Sequence, residues 1–180
     1  PGDMKVVAPA AVRKADDGDD FVNEIHHITG LDINVLSGDQ EAMMSGFGVL
    51  FSYPEAKGIV ADLGGGSLEL ACLSEGDAKY TMSLPFGVIQ LMDAQNGRAL
   101  LDEYILALKE QFRKKGKTLY AVGGTWRSMA KVWSIQHSKW RRVKNGQKIA
   151  AVKILPFLED MQNTEFQELV KAYGIDKKRA

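Results

Sequence analysis

Asp62-Leu-Gly-Gly-Gly-Ser-Leu-Glu69 is the stretch on which the reading of the fold turns. It closes a run of G-I-V-A-D-L over 58–63, which reads as a buried strand. It opens a second strand over 67–73, in which Leu68, Leu70 and Cys72 alternate with Glu69 and Ala71. The three glycines let the backbone reverse and bring its N–H groups close to an anion, and successive N–H groups in such a turn suit phosphate. Ser67 adds a hydroxyl donor. Asp62 and Glu69 supply oxygen ligands of the kind Mg2+ accepts directly or through water. A plain hairpin flanked by two acids is the competing reading. A two-residue turn would serve that purpose without weakening the strand junction, so Gly64, Gly65, Gly66 and Ser67 are taken as a phosphate loop.

Working outward, Glu75-Gly76-Asp77 is a hairpin signal and 79–84 a third strand. Upstream, 5–8 (K-V-V-A) is a short strand running into Pro9. A helix is predicted over 19–29, with Phe21, Ile25 and Ile28 on one face and Gly30 as its stop. Residues 33–36 form a strand, and Ser37 with Gln40 makes a capping box for a helix reaching about residue 51. Gly46 and Gly48 inside that helix suggest close packing against a neighbour. Downstream, Leu100, Leu101, Tyr104, Ile105, Leu108 and Phe112 form the stripe of a long helix. A strand over 118–122 leads through Gly123-Gly124 into a helix over 125–135. Two short helices are expected near 153–161 and 164–173. The alternation gives an α/β fold with an antiparallel hairpin in the middle. Residues 1–136 read as one lobe, and 137–180 as a basic segment and short helices that complete or extend it.

Composition bounds the partners. The 180 residues hold 23 bases and 23 acids, with 45% hydrophobic residues, enough for an ordinary core. The neutral total conceals a polarity: residues 1–108 carry 17 acids and 6 bases, whereas 109–153 carry 13 bases and one acid. The net +12 of the latter suits steering of a long anionic substrate or an acidic nucleotide. Cys72 is the sole cysteine, so no intrachain disulfide forms and a reduced, cytoplasmic setting is expected. No apolar stretch nears the ~18 residues of a membrane span, no leader opens the chain, and no membrane partner is expected. The first residue is Pro1, which suggests a processed or excised chain.

Other candidates are weaker. Asp39 and Glu41 fall in the first turn of a capped helix, where acids are favoured anyway; beside a bound phosphate, such a carboxylate would orient and deprotonate water. Gly123, Gly124 and Thr125 follow a strand and open a helix, so they suit a second phosphate or nucleotide, or else an ordinary turn. Gly116-Lys117-Thr118 mimics the end of a P-loop, but Gln111 stands where its first glycine belongs and the tripeptide leads into a strand. His26 and His27 are adjacent on a helix and point apart. Lys139-Trp140-Arg141-Arg142 suits a polyanion or simple solvation.

Taken together, five motifs in order resemble the Ppx/GppA phosphatase family, which comprises exopolyphosphatases and guanosine pentaphosphate phosphohydrolases. Ala8-Pro-Ala-Ala-Val-Arg13 resembles its A-T-S-A-V-R, and residues 36–42 resemble its S-G-x-E-E-A. Residues 62–70 resemble D-I-G-G-G-S-T-E-L, Ser83-Leu-Pro-Phe-Gly87 resembles S-L-P-L-G, and Gly123-Gly-Thr-Trp-Arg127 resembles G-G-T-x-R. Pro9 and Leu68 replace threonines of the pattern, and Met43 stands where arginine is frequent. The resemblance implies an actin-like, ribonuclease-H-like lobe: a mixed sheet flanked by helices. It implies that Glu41 is the catalytic base, that Arg13 faces the phosphate, that Gly64–Ser67 hold the terminal phosphate, and that Asp62 and Glu69 surround Mg2+ or another divalent cation. The family's first phosphate loop, D-x-G-S-N-S, does not occur, so an N-terminal lobe of the same protein is expected as a partner, with a homodimer at full length.

The implied reaction is hydrolysis of a terminal phosphoanhydride of polyphosphate or pppGpp, the enzyme thus belonging to the stringent response, with little turnover from this chain alone. A non-enzymatic binder of ppGpp or polyphosphate is the alternative. A kinase of the same fold ranks behind both, because Glu41 in its S-G-x-x-E-A context favours water as the acceptor.

Overall fold

The computed structural model describes residues 4–91, 97–113, 115–137, 143–163, 171 and 173. Its contacts divide the chain into two compact units, Pro1–Val122 and Gly123–Ala180. The 136/137 boundary drawn from sequence instead falls at the end of a helix within the second unit.

In the first unit, β1 (Val6–Ala8) and β2 (Ile33–Val35) pair in parallel, with Val6 opposite Ile33 and Ala8 opposite Val35. Between them run α1 (Ala10–Arg13) and α2 (Gly18–Thr29). The single turn α1 carries no periodic signal in the sequence. α2 ends at Gly30, whose φ of +69° is the left-handed geometry that glycine supplies without strain. From β2 the chain passes Leu36, whose N–H donates to the Ala8 carbonyl at 2.9 Å, and enters α3 (Gly38–Ser52). The capping box forms as predicted: Gln40 N–H donates to Ser37 Oγ at 3.2 Å, and Ser37 N–H to Gln40 Oε1 at 2.8 Å. Because β1 and β2 are parallel, their C-terminal ends lie side by side, and α1 and α3 both set out from that edge.

A second sheet has the order β5-β4-β3-β6, built from β3 (Gly58–Leu63), β4 (Leu68–Ser74), β5 (Asp77–Leu84) and β6 (Leu119–Val122). β3, β4 and β5 form an antiparallel meander, and β6 adds parallel to β3 after α4 (Val88–Leu91) and α5 (Gly97–Phe112). The β4–β5 turn puts Glu75 and Gly76 at φ of 56° and 72°, the twist-matched hairpin geometry. One extra residue bulges from β5 between Lys79 and Met82, and Tyr80 there takes φ +52° with the Lys115 ammonium over its ring.

β4 is buried on both faces from Glu69 to Leu73. α3 covers the face bearing Glu69, Ala71 and Leu73. It approaches closely because Gly46 has no side chain: a Cβ there would lie 2.7 Å from Ala78 Cβ and 3.4 Å from Ala71 Cβ. Leu50, Val60, Ala71, Leu73 and Ala78 form the core beneath. The sequence assigned the same role to Gly48, and the structure corrects it: a Cβ there meets only open space.

The second unit contains α6 (Gly124–His137) and α7 (Ala151–Gln162). Val132, Trp133 and Phe157 form its core. His137 stacks on Trp133 with ring centroids 3.9 Å apart, and buried Ser134 donates to Gln147 Oε1 at 3.1 Å. Apart from the helical Lys171 and Tyr173, the expected helix over 164–173 lies outside the described residues, as do the Lys139-Trp140-Arg141-Arg142 run and the side chains of Leu100 and Ile105. Among the described residues no helix is long and apolar enough to cross a membrane.

The two glycines of α3 should respond oppositely to a methyl group. Gly48→Ala should stabilise the chain by about 0.5–1 kcal/mol, and Gly46→Ala should destabilise it by about 1–3 kcal/mol through overpacking. Urea unfolding of both variants checks this, and equal shifts would contradict the packing described.

Candidate functional site

One row of the four-stranded sheet carries Ser83, Glu69, Asp62 and Val122, each the cross-strand partner of the next. Directly opposed residues share a face, with Cβ atoms about 4.5–5.5 Å apart, so Ser83, Glu69 and Asp62 project together beneath α3. Two residues one helical turn apart, Glu41 and Ser45, face that row from α3. Ser45 Oγ donates to Asp62 Oδ2 at 2.8 Å, and Ser83 Oγ donates to Glu69 Oε1 at 3.2 Å. Gly38 lets the start of α3 pass over Ser83, since a Cβ would lie 2.3 Å from Ser83 Cβ.

Three carboxylates therefore crowd one site. Burial pushes the Glu69 carboxyl above its ordinary range. Hydrogen bonds from the Ser67 and Ser83 hydroxyls pull the other way, while the negative charges of Glu41 and Asp62 add to the rise. Glu41 has a counter-charge: Arg13 Nη1 donates to its Oε1 and to the Leu36 carbonyl oxygen. The parallel β1–β2 pair explains this meeting, because the end of α1 and the start of α3 emerge side by side.

The glycine turn is fixed by its carbonyl oxygens. Val88 N–H donates to Gly64 O and Ile89 N–H to Gly65 O, both at 3.0 Å. Lys14 Nζ donates to Gly66 O at 2.6 Å. With Gly64 N–H given to the Ser67 carbonyl at 3.0 Å, the amides of Gly65 and Gly66 have no partner among the described residues. These are the N–H groups an anion would meet. Gly87 makes the arrangement possible, since a Cβ there would sit 2.5 Å from the Gly65 carbonyl.

The sequence profile of the Ppx/GppA phosphatase family matches residues 2–180. The chain belongs to that family. It is 31% identical over 121 residues to retrograde regulation protein 2 of Saccharomyces cerevisiae, which covers 63% of this chain and 21% of the yeast protein. Its fold is like that of the Aquifex aeolicus Ppx/GppA family member, with a TM-score of 0.74 and 22% identity over 97% of this chain. It is also like that of an exopolyphosphatase from Cytophaga hutchinsonii, with a TM-score of 0.79 and 19% identity over 97% of this chain. The chain spans 60% and 62% of those two structures. Its mixed α/β architecture, with helices flanking a mixed sheet, is the actin-like lobe of Ppx/GppA proteins.

Of the residues singled out from sequence, Arg13, Glu41, Asp62, Gly64, Gly65, Gly66, Ser67 and Glu69 converge in the first unit. Gly123, Gly124 and Thr125 belong to the second, where Gly123 turns at φ +106° and Gly124 opens α6. Among the described residues, no group of three His, Cys, Asp or Glu side chains is placed to hold a metal ion. Asp62 and Glu69 as a pair still match the habit of Mg2+, which takes one or two carboxylates and completes its shell with water and substrate phosphate. Lys14, Ser45, Ser83 and Gly87 join the site without having been singled out for it. Ser45 was readable, because it sits four residues after Glu41 on the same helix face; the other contacts are between segments distant in sequence.

The raised Glu69 carboxyl has a consequence for stability. The folded chain binds that proton more tightly than the unfolded chain, so stability falls as pH rises from about 4.5 through the raised value. Glu69→Gln should remove this slope and gain on the native protein towards neutral pH. Melting temperatures of both proteins across that range check it, and parallel profiles would contradict it.

Proposed function

We propose that this chain forms one wall of a hydrolase site that removes the terminal phosphoryl group from inorganic polyphosphate or pppGpp. The observation that carries the reading is the convergence of Glu41, paired with Arg13, on a glycine turn whose carbonyls are tied back and whose amides are open. The terminal phosphate sits on the N–H groups of Gly65 and Gly66 and on the Ser67 hydroxyl. Glu41 orients a water molecule and takes its proton as the water oxygen bonds to phosphorus. The bridging P–O bond breaks, and the shortened polyphosphate or ppGpp leaves with that oxygen. Arg13 fixes the Glu41 carboxylate and offers its remaining N–H groups to the anion. Asp62 and Glu69 are the side chains that would hold a divalent cation, whose chemistry is to neutralise charge on phosphate oxygens. Such catalysis is mostly positioning and charge stabilisation, which accounts for rigid supports such as the Ser45–Asp62 and Ser83–Glu69 bonds. An N-terminal lobe of the same protein, consistent with the longer chains of the related structures, closes the site from the other side. The basic segment 109–153 steers the polyanion.

A second reading, a non-enzymatic binder of ppGpp or polyphosphate, draws on the name of the yeast relative, a regulation protein. The two separate on one comparison. Orthophosphate release from polyphosphate and from pppGpp by the intact protein should fall about 10²–10⁴-fold in Glu41→Gln, the usual contribution of a general base. Unchanged turnover would remove Glu41 from that role, and binding without turnover in the native protein would favour the regulator.

A further inference from the structure

Lys14 is adjacent to Arg13 in sequence but serves the opposite side of the site. Arg13 turns to Glu41 and the Leu36 carbonyl, whereas the Lys14 ammonium rests on the Gly66 carbonyl at 2.6 Å. Both side chains also line an open cavity of about 480 Å³ that runs past Gly38 and Asp39 to Thr81 and Ser83 of β5; the Lys14 contact with Gly66 is what joins this cavity to the glycine turn. Asp39 is the single acid among its described lining residues, set against two cations and two hydroxyls.

The resting partner of Lys14 is a weak one. A neutral carbonyl uses one of three ammonium donors, and the side chain is exposed. A phosphate oxygen makes a charge-assisted bond roughly twice as strong, so an arriving anion would draw the ammonium without any backbone rearrangement. With a terminal phosphoryl group on the Gly65 and Gly66 amides, the Lys14 ammonium, 2.6 Å from the Gly66 carbonyl oxygen, is the neighbouring cation for the next phosphate of the chain.

We propose that Lys14, with the cavity it shares with Arg13, binds the second phosphate group of the substrate, the one that departs when the terminal bond breaks. There the ammonium meets the negative charge that develops on the leaving oxygen, where a cation has its greatest effect on the barrier. The cavity has the volume of an ordinary small-ligand site, and Thr81 offers a hydroxyl to the remaining phosphate oxygens. The proposal rests on the reading of the glycine turn as the terminal-phosphate site.

Equilibrium binding of orthophosphate and pyrophosphate to the intact protein tests it, with Lys14→Met and Lys14→Arg as variants. The native protein should prefer pyrophosphate. Lys14→Met should weaken pyrophosphate binding by about tenfold more than it weakens orthophosphate binding, and Lys14→Arg should retain most of the preference. An unaltered pyrophosphate affinity in Lys14→Met, or an equal loss for both anions, would overturn the assignment. Absence of binding by either anion to the native protein would instead remove the phosphate role of the glycine turn, and this inference with it.

Discussion

Three successive carbonyl oxygens, those of Gly64, Gly65 and Gly66, are each held by a donor from outside the turn. A chain reversal made of glycines has little conformational preference of its own, so its shape must be imposed. Two of the donors are backbone N–H groups of α4, delivered by Phe86, which is buried, and by Gly87, which lies flat against the turn. The third is a lysine from a different segment. With the three carbonyls occupied, the amides of Gly65 and Gly66 are left without a partner among the described residues. The pattern of occupied carbonyls and unpartnered amides is thus produced by the surroundings of the turn as much as by its own sequence.

The same logic extends to the acids. A row across three strands sets Asp62 beside Glu69, and α3 brings Glu41 down onto both. Such crowding would be unfavourable without support, and each carboxylate has a dedicated partner: Arg13 for Glu41, Ser45 for Asp62, Ser67 and Ser83 for Glu69. The helix can come this close only because Ala42 and Gly46 are small where it meets the sheet. The residual strain on charge falls on Glu69, the most buried of the three, and a cationic ligand would relieve it.

What the sequence disclosed was local. The strand–glycine–strand unit, the Ser37–Gln40 capping box and the Glu75-Gly76 turn each encode their geometry within a few residues, and each forms as read. The family motifs carried the identity of Arg13 and Glu41, although nothing in their spacing, 28 positions apart, says that they touch. What stayed hidden depends on contacts between distant segments. Lys14 lies just beyond its motif and finds Gly66 only after folding. The closeness of Gly87 to Gly65, and of Gly38 to Ser83, is a property of tertiary approach. Gly46 and Gly48 are indistinguishable in the sequence, and one is pressed against the sheet while the other faces open space.

The most direct test asks whether an anion binds at the amides of the glycine turn. Backbone amide NMR during titration with orthophosphate addresses it residue by residue. The Gly65, Gly66 and Ser67 resonances should shift saturably and first, with Glu41 and Arg13 responding alongside. Shifts confined to the basic segment 109–153, with the turn unmoved, would contradict it.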